Sequence, residues 1–152
     1  MSYDIKVLNL PIQNNLVMRT VTPVEKLPDF LGKAYGSIMQ FLESKGIQPT
    51  GMPFTAYYNM DMSALDIAAG FPVLEKMEAD GEILNEVIPA GKFLSTIYEG
   101  PYADCSQAYE ALQYYLDANA LKATGVAYEY YLNDPSSGPE IIPLTEIRFP
   151  LK

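Results

Sequence analysis

Residues 34–51 read AYGSIMQFLESKGIQPTG and residues 108–125 read AYEALQYYLDANALKATG, and the two stretches superimpose without a gap at an offset of 74. The apolar positions fall in one register: Leu31, Ala34, Tyr35, Ile38, Phe41 and Leu42 in the first copy, Cys105, Ala108, Tyr109, Leu112, Tyr115 and Leu116 in the second. Spacings of three and four residues put each set on one face of an α-helix. Both copies close on Thr-Gly, at Thr50-Gly51 and Thr124-Gly125. A shared register of this kind marks an internal repeat, and it sets the expected architecture.

Working outward, the register continues into Phe54–Asn59 and Tyr128–Asn133, aromatic-rich runs that read as strands. A further strand follows in each copy, around Ala64–Val73 and Ile142–Leu151, ending in Phe71-Pro72 and Phe149-Pro150, where proline suits a strand end or edge. Upstream of each helix lie Leu16–Val21 and Phe93–Tyr98, and before those Ile5–Leu10 and Glu82–Ile88, the last joined to its successor by the turn at Pro89-Ala90-Gly91-Lys92. Thr22-Pro23-Val24-Glu25 has the pattern of a helix start with a capping threonine, and Asp104 to Gln107 that of a weaker capping box. Pro28 should break off a short turn before a main helix from about Pro28 to Lys45. The expected fold is α+β: two βαββ repeats, each led by an extra strand, with antiparallel sheet, helices on one face, a pseudo-twofold relation and a ligand cleft on the face away from the helices.

Composition bounds the chemistry. A chain of 152 residues, 49% of them hydrophobic, can bury one core, which favours a single domain over residues 1–152 with repeat halves of about 1–75 and 76–152. No run approaches the roughly 18 apolar residues of a membrane span, and Met1-Ser2-Tyr3-Asp4 does not open a signal peptide, so the default expectation is a cytoplasmic protein with no membrane partner. The single Cys105 can make no internal disulfide. Histidine is absent, which removes Ser-His-Asp and Cys-His catalysis, most zinc sites and proximal-histidine haem ligation; no cofactor or metal is expected. The net charge of −9 is concentrated in residues 76–152, which hold 12 of the 19 acidic residues and 5 of the 10 basic ones. That field repels nucleic-acid phosphates and favours cationic ligands or a basic protein partner.

Several segments then converge. Pro89-Ala90-Gly91-Lys92-Phe93, Tyr98-Glu99-Gly100-Pro101-Tyr102, Ala108-Tyr109, Tyr128-Glu129-Tyr130 before Asn133-Asp134-Pro135, and Thr145-Glu146-Ile147-Arg148-Phe149-Pro150 resemble the gyrase-inhibitor-like small-molecule-binding family, whose fold also forms the effector-binding domains of AraC-type and MerR-type regulators. The resemblance spans roughly residues 14–151. It implies two βαββ units, a cleft between them, and binding of hydrophobic, often cationic, compounds. It assigns the charge-contacting role to Glu129, by its place in Tyr128-Glu129-Tyr130. The regulators carry a helix-turn-helix domain for which this chain has no room, so the resemblance is to the standalone members, among them ligand-sequestering proteins, hydrolases of strained cyclopropane toxins and proposed gyrase modulators.

The physical chemistry of the candidates is consistent with that role. An ionised carboxylate among aromatics is costly to desolvate, and a hydrophobic cation relieves the cost. Tyrosine faces add cation–π attraction on the order of 1 to 2 kcal/mol once desolvated. Strand alternation points Glu129 and Tyr131 the same way, and likewise their repeat equivalents Thr55 and Tyr57, giving one charged and one neutral wall. The bland reading of Glu129 is a solvated strand residue. Tyr98 and Tyr102 divide between packing and lining the pocket. Tyr35 and Tyr109 lie on the helical stripes and read as core, as does Cys105, the equivalent of Leu31. Glu146 either joins Glu129 as the second carboxylate of a ring-opening hydrolase, or is exposed or paired with Arg148 or Lys92. Three functions are weighed: capture of a small hydrophobic or cationic ligand at Glu129, hydrolysis of a strained electrophile by the same residue, and an acidic surface that meets a protein partner such as a gyrase.

Overall fold

The computed structural model of the chain describes residues 3–78, 81–134 and 138–152; Pro135 of the Asn133-Asp134-Pro135 segment lies outside them. Eight strands and two helices follow in the order β1 (Lys6–Leu10), β2 (Gln13–Thr22), α1 (Leu27–Ser44), β3 (Phe54–Tyr57), β4 (Leu65–Val73), β5 (Leu84–Ile88), β6 (Gly91–Glu99), α2 (Ser106–Ala118), β7 (Ala127–Tyr131) and β8 (Leu144–Pro150). The expected strand-strand-helix-strand-strand order therefore recurs twice. Every described strand pair is antiparallel, so the chain is α+β.

The leading strand of each half pairs with a strand of the other half. β1 pairs with β6, and β5 pairs with β2. The chain accordingly forms two compact units that are not its contiguous halves: Met1–Leu10 with Gly91–Lys152, and Pro11–Ala90. In the first the strand order is β1-β6-β8-β7, and in the second β3-β4-β2-β5. Hydrophobic periodicity specifies that a segment is a strand and which face is buried, but not which of two similar edges it joins.

Within the second unit, Ala34, Ile38 and Leu42 of α1 pack on Leu16, Met18, Ala69, Phe71 and Val73 of β2 and β4. These are the helical stripe and the alternate strand positions expected from the repeat. β4 is buried along nearly its whole length, so Leu65–Val73 reads as a continuous apolar run and not as an alternation. Gly70 permits that closeness, since a Cβ there would lie 1.8 Å from the Leu16 carbonyl oxygen. In the first unit the buried positions of α2 are Ala108, Leu112 and Leu116, the exact repeat equivalents.

Neither predicted capping box forms. Thr22 Oγ1 donates to the Pro23 carbonyl, 3.1 Å away, and the chain makes a 3-10 turn at Val24–Lys26 before α1. Another 3-10 turn, Tyr102–Asp104, leads into α2, again without a side-chain cap. These turns feed the helices in the helical conformation, which leaves no extended capping residue to reach back. Pro28 falls in the first turn of α1, where its missing N–H costs nothing. No helix among the described residues is long and apolar enough to cross a membrane.

Candidate functional site

Strand register fixes which side chains share a face. On β7 and β8, Glu129 lies opposite Ile147 and Tyr131 opposite Thr145; on β6 and β8, Thr96 lies opposite Ile147 and Tyr98 opposite Thr145. Two rows therefore cross one face of the sheet, Thr96–Ile147–Glu129 and Tyr98–Thr145–Tyr131. α2 covers that face, since Tyr109 packs its ring on Phe149, with centroids 5.6 Å apart, and donates its hydroxyl to Glu129 Oε2. Glu129 thus points toward the helix. The expectation that it opens on the face away from the helices is overturned, because the residues of β7 that point that way are Tyr128 and Tyr130.

Glu129 is 8% exposed, and both its oxygens accept from phenols. Oε2 is held by Tyr109 and Oε1 by Tyr131, whose hydroxyl lies 3.2 Å away. Tyr102, in the turn before α2, stacks edge-on against Tyr131 with centroids 5.5 Å apart and is 47% exposed. Burial, then the charges of Asp134 and Glu129, push the Tyr102 phenol up. Cys105 senses the same carboxylate: burial foremost, with Glu129 next, raises its thiol to about 11. The thiol is protonated at neutral pH, in keeping with a packing role and not a nucleophilic one. Three tyrosines and a cysteine thus surround one carboxylate.

The other sequence candidates are placed as follows. Tyr98 shares the face of Glu129 but turns its hydroxyl to the Pro101 carbonyl, at 2.8 Å. Gly100 makes that return possible: its φ is +145°, and a Cβ would sit 2.8 Å from the Tyr98 hydroxyl oxygen. Glu146 lies on the opposite face, opposite Tyr130 in register, where it accepts from Ser95 Oγ at 3.0 Å and pairs with Arg148 Nε at 2.7 Å. Arg148 also stacks over the Tyr130 ring, 4.2 Å from its centroid. The two-carboxylate pairing of Glu146 with Glu129 is therefore overturned, because the sheet separates them. Thr55 and Tyr57 belong to the other unit and also face its helix, opposite Ala69 and Ile67. There Thr55 is fully buried, with its hydroxyl 3.0 Å from that of Tyr35.

Sequence reasoning missed Tyr109, which it assigned to the core. A signal was present: Tyr35 to Thr55 and Tyr109 to Glu129 are both separated by 20 residues, so the repeat that aligned the strands also aligned the contacts. It missed Thr145 as well. This residue is 1% exposed on the Glu129 face, and its hydroxyl has no hydrogen-bond partner among the described residues.

The GyrI-like small molecule binding domain family matches residues 3–152. The chain belongs to that family. No curated protein matches it significantly by sequence. Among solved structures, the GyrI-like domain is similar to the C-terminal domain of EcmrR, with a TM-score of 0.84, 23% identity, and coverage of 100% of this chain and 99% of the other. In the complex of EcmrR with DNA it spans 57% of the EcmrR chain, at a TM-score of 0.85 and 23% identity. It is also similar to a hydrolase from Listeria innocua (TM-score 0.69, 12% identity, 97% and 91% coverage) and to SAV2435 bound to tetraphenylphosphonium (TM-score 0.66, 13% identity, 100% and 94% coverage). At these identities the structural likenesses establish the fold, and the family membership establishes a small-molecule binding domain.

Proposed function

We propose that this GyrI-like domain binds small hydrophobic cations at Glu129, with Tyr102, Tyr109 and Tyr131 as the aromatic and hydrogen-bonding surround. The observation that carries the reading is a carboxylate 8% exposed and held on both oxygens by tyrosine hydroxyls. Neutral phenols stabilise the anion by hydrogen bonding without neutralising it, so a guest that brings positive charge still gains Coulomb attraction in a medium of low dielectric constant. The tyrosine rings offer faces for cation–π contact. Tyr102 is the half-exposed member, the natural point of approach from solvent. That SAV2435, which shares the fold, is seen with tetraphenylphosphonium makes the same cation a suitable probe.

Calorimetric titration of tetraphenylphosphonium into wild type and Glu129→Gln tests the reading. The amide keeps shape and removes charge, and an affinity loss of about tenfold or more is expected, equivalent to about 1.4 kcal/mol. Equal affinities would sink the electrostatic mechanism.

A hydrolase of strained electrophiles remains the second reading, favoured by the hydrogen bond that couples Glu129 to the Tyr109 hydroxyl. With Glu146 on the other face, such an enzyme would use Glu129 without Glu146 as its partner. Product analysis after incubation with a cyclopropane-containing alkylator decides it: turnover no greater than that of Glu129→Ala removes the enzyme.

A further inference from the structure

A buried hydroxyl without a partner carries a desolvation cost that packing alone does not return. Thr145 is such a residue, 1% exposed and unpartnered among the described residues. It stands between Tyr98 and Tyr131 in its row, and diagonally from Glu129, two residue pairs along the β7–β8 ladder. Diagonal neighbours on adjacent strands are about 7–8 Å apart. The Tyr3 hydroxyl is a second buried oxygen without a partner among the described residues. Two observations bring it to the same corner: Thr96, on the Glu129 face of β6, donates to the Asp4 carbonyl at 3.1 Å, and the Tyr3 phenol contributes to the upward shift of Tyr98, behind burial, Asp104 and Cys105. The Tyr98 hydroxyl is itself committed to Pro101.

We infer that Thr145, seconded by Tyr3, forms a neutral hydrogen-bonding subsite beside Glu129, and that the preferred guests are aromatic cations carrying a hydroxyl or carbonyl oxygen one ring's length from the charge. The inference rests on the reading of Glu129 as the cation contact and deepens it. An aromatic frame of that length spans from the carboxylate row to the threonine row without leaving the face lined by Tyr98 and Tyr131. Because a hydroxyl both donates and accepts, Thr145 serves either a phenol or a carbonyl. This converts a shape-selective aromatic site into one that discriminates by a single oxygen. It also accounts for a threonine where valine would fill the same volume.

The test uses a matched pair of cations, benzyltriphenylphosphonium and its 4-hydroxybenzyl analogue, titrated against the full chain as wild type, Thr145→Val, Thr145→Ser and Glu129→Gln. Wild type should bind the hydroxylated cation roughly 3- to 10-fold more tightly, the range a net hydrogen bond supplies. Thr145→Val should abolish that preference, change affinity for the parent cation by less than about twofold, and melt at a higher temperature because an unpaired hydroxyl is gone; Thr145→Ser should restore the preference. Glu129→Gln should weaken both cations alike. A preference that survives in Thr145→Val, an equal loss for both cations in that variant, or a lower melting temperature would overturn the subsite while leaving the Glu129 reading in place. If the parent cation binds wild type and Glu129→Gln equally, it is the underlying reading that fails.

Discussion

In one unit a helical tyrosine, Tyr35, packs edge-on against Phe71 and offers its hydroxyl to Thr55; in the other, Tyr109 packs on Phe149 and offers its hydroxyl to Glu129. Ring separation is 5.6 Å in both. The two arrangements differ at one strand position. Where threonine stands, the tyrosine hydroxyl also bonds the Phe54 carbonyl at 2.9 Å, and the contact closes the core with neutral groups. Where glutamate stands, the same geometry holds a carboxyl group away from water. The scaffold that makes one corner a core makes the other a candidate site, and the difference shows how little backbone change a buried carboxyl needs once packing has fixed the helix and its tyrosine.

The comparison can be broken most forcefully by moving the charge. Thr55→Glu places a carboxylate at a fully buried position built for a hydroxyl, and a loss of about 3–5 kcal/mol in urea unfolding is expected. A variant as stable as wild type would show that the second unit also accommodates a buried anion. The next effect is at the tyrosines. Tyr109→Phe removes a hydrogen bond to a charged group and should cost about 1.5–3 kcal/mol, whereas Tyr35→Phe removes neutral ones and should cost about 0.5–1.5 kcal/mol. Equal losses would mean that the hydrogen bond to Glu129 is no stronger than the neutral ones.

The reverse exchange, Glu129→Thr, should leave a folded unit resembling its neighbour and weaken tetraphenylphosphonium binding by about tenfold or more, about 1.4 kcal/mol. Unchanged binding would dissolve the distinction between the two corners. The smallest effect is read at Cys105. With its thiol raised to about 11, iodoacetamide should alkylate it slowly at pH 8 and faster in Glu129→Gln, since burial remains but the carboxylate charge is gone. A thiol whose folded value exceeds its unfolded one stabilises the fold below the unfolded value of about 8.5 and loses that contribution as pH rises through the folded value, so stability should decline between about pH 8.5 and 11.

Much of this was readable in the chain itself. The helical stripes, the strands and the face alternation of Glu129 with Tyr131 follow from periods of 3.6 and 2, which are local properties. Other features escaped that reading. The exchange of β1 and β5 depends on competition between similar edges. The direction of Glu146 relative to Glu129 depends on register between strands, and a slip of one residue would have reversed it. The double use of Tyr109, ring for packing and hydroxyl for Glu129, is invisible to a binary pattern of apolar and polar residues, which scores tyrosine once. Thr145 belongs to the same class, since a lone hydroxyl in a strand gives no hint of whether it finds a partner.

The exchanged leading strands also set an order of assembly. Lys6 pairs with Ser95 and Leu10 with Gly91, so β1 leaves the ribosome well ahead of β6, the strand whose edge it joins. At about 5–20 residues per second that is an interval of several seconds, during which the Pro11–Ala90 unit can be completed while β1 trails from it unhoused. The unit that contains Glu129 is closed after the other, by a strand made before either helix.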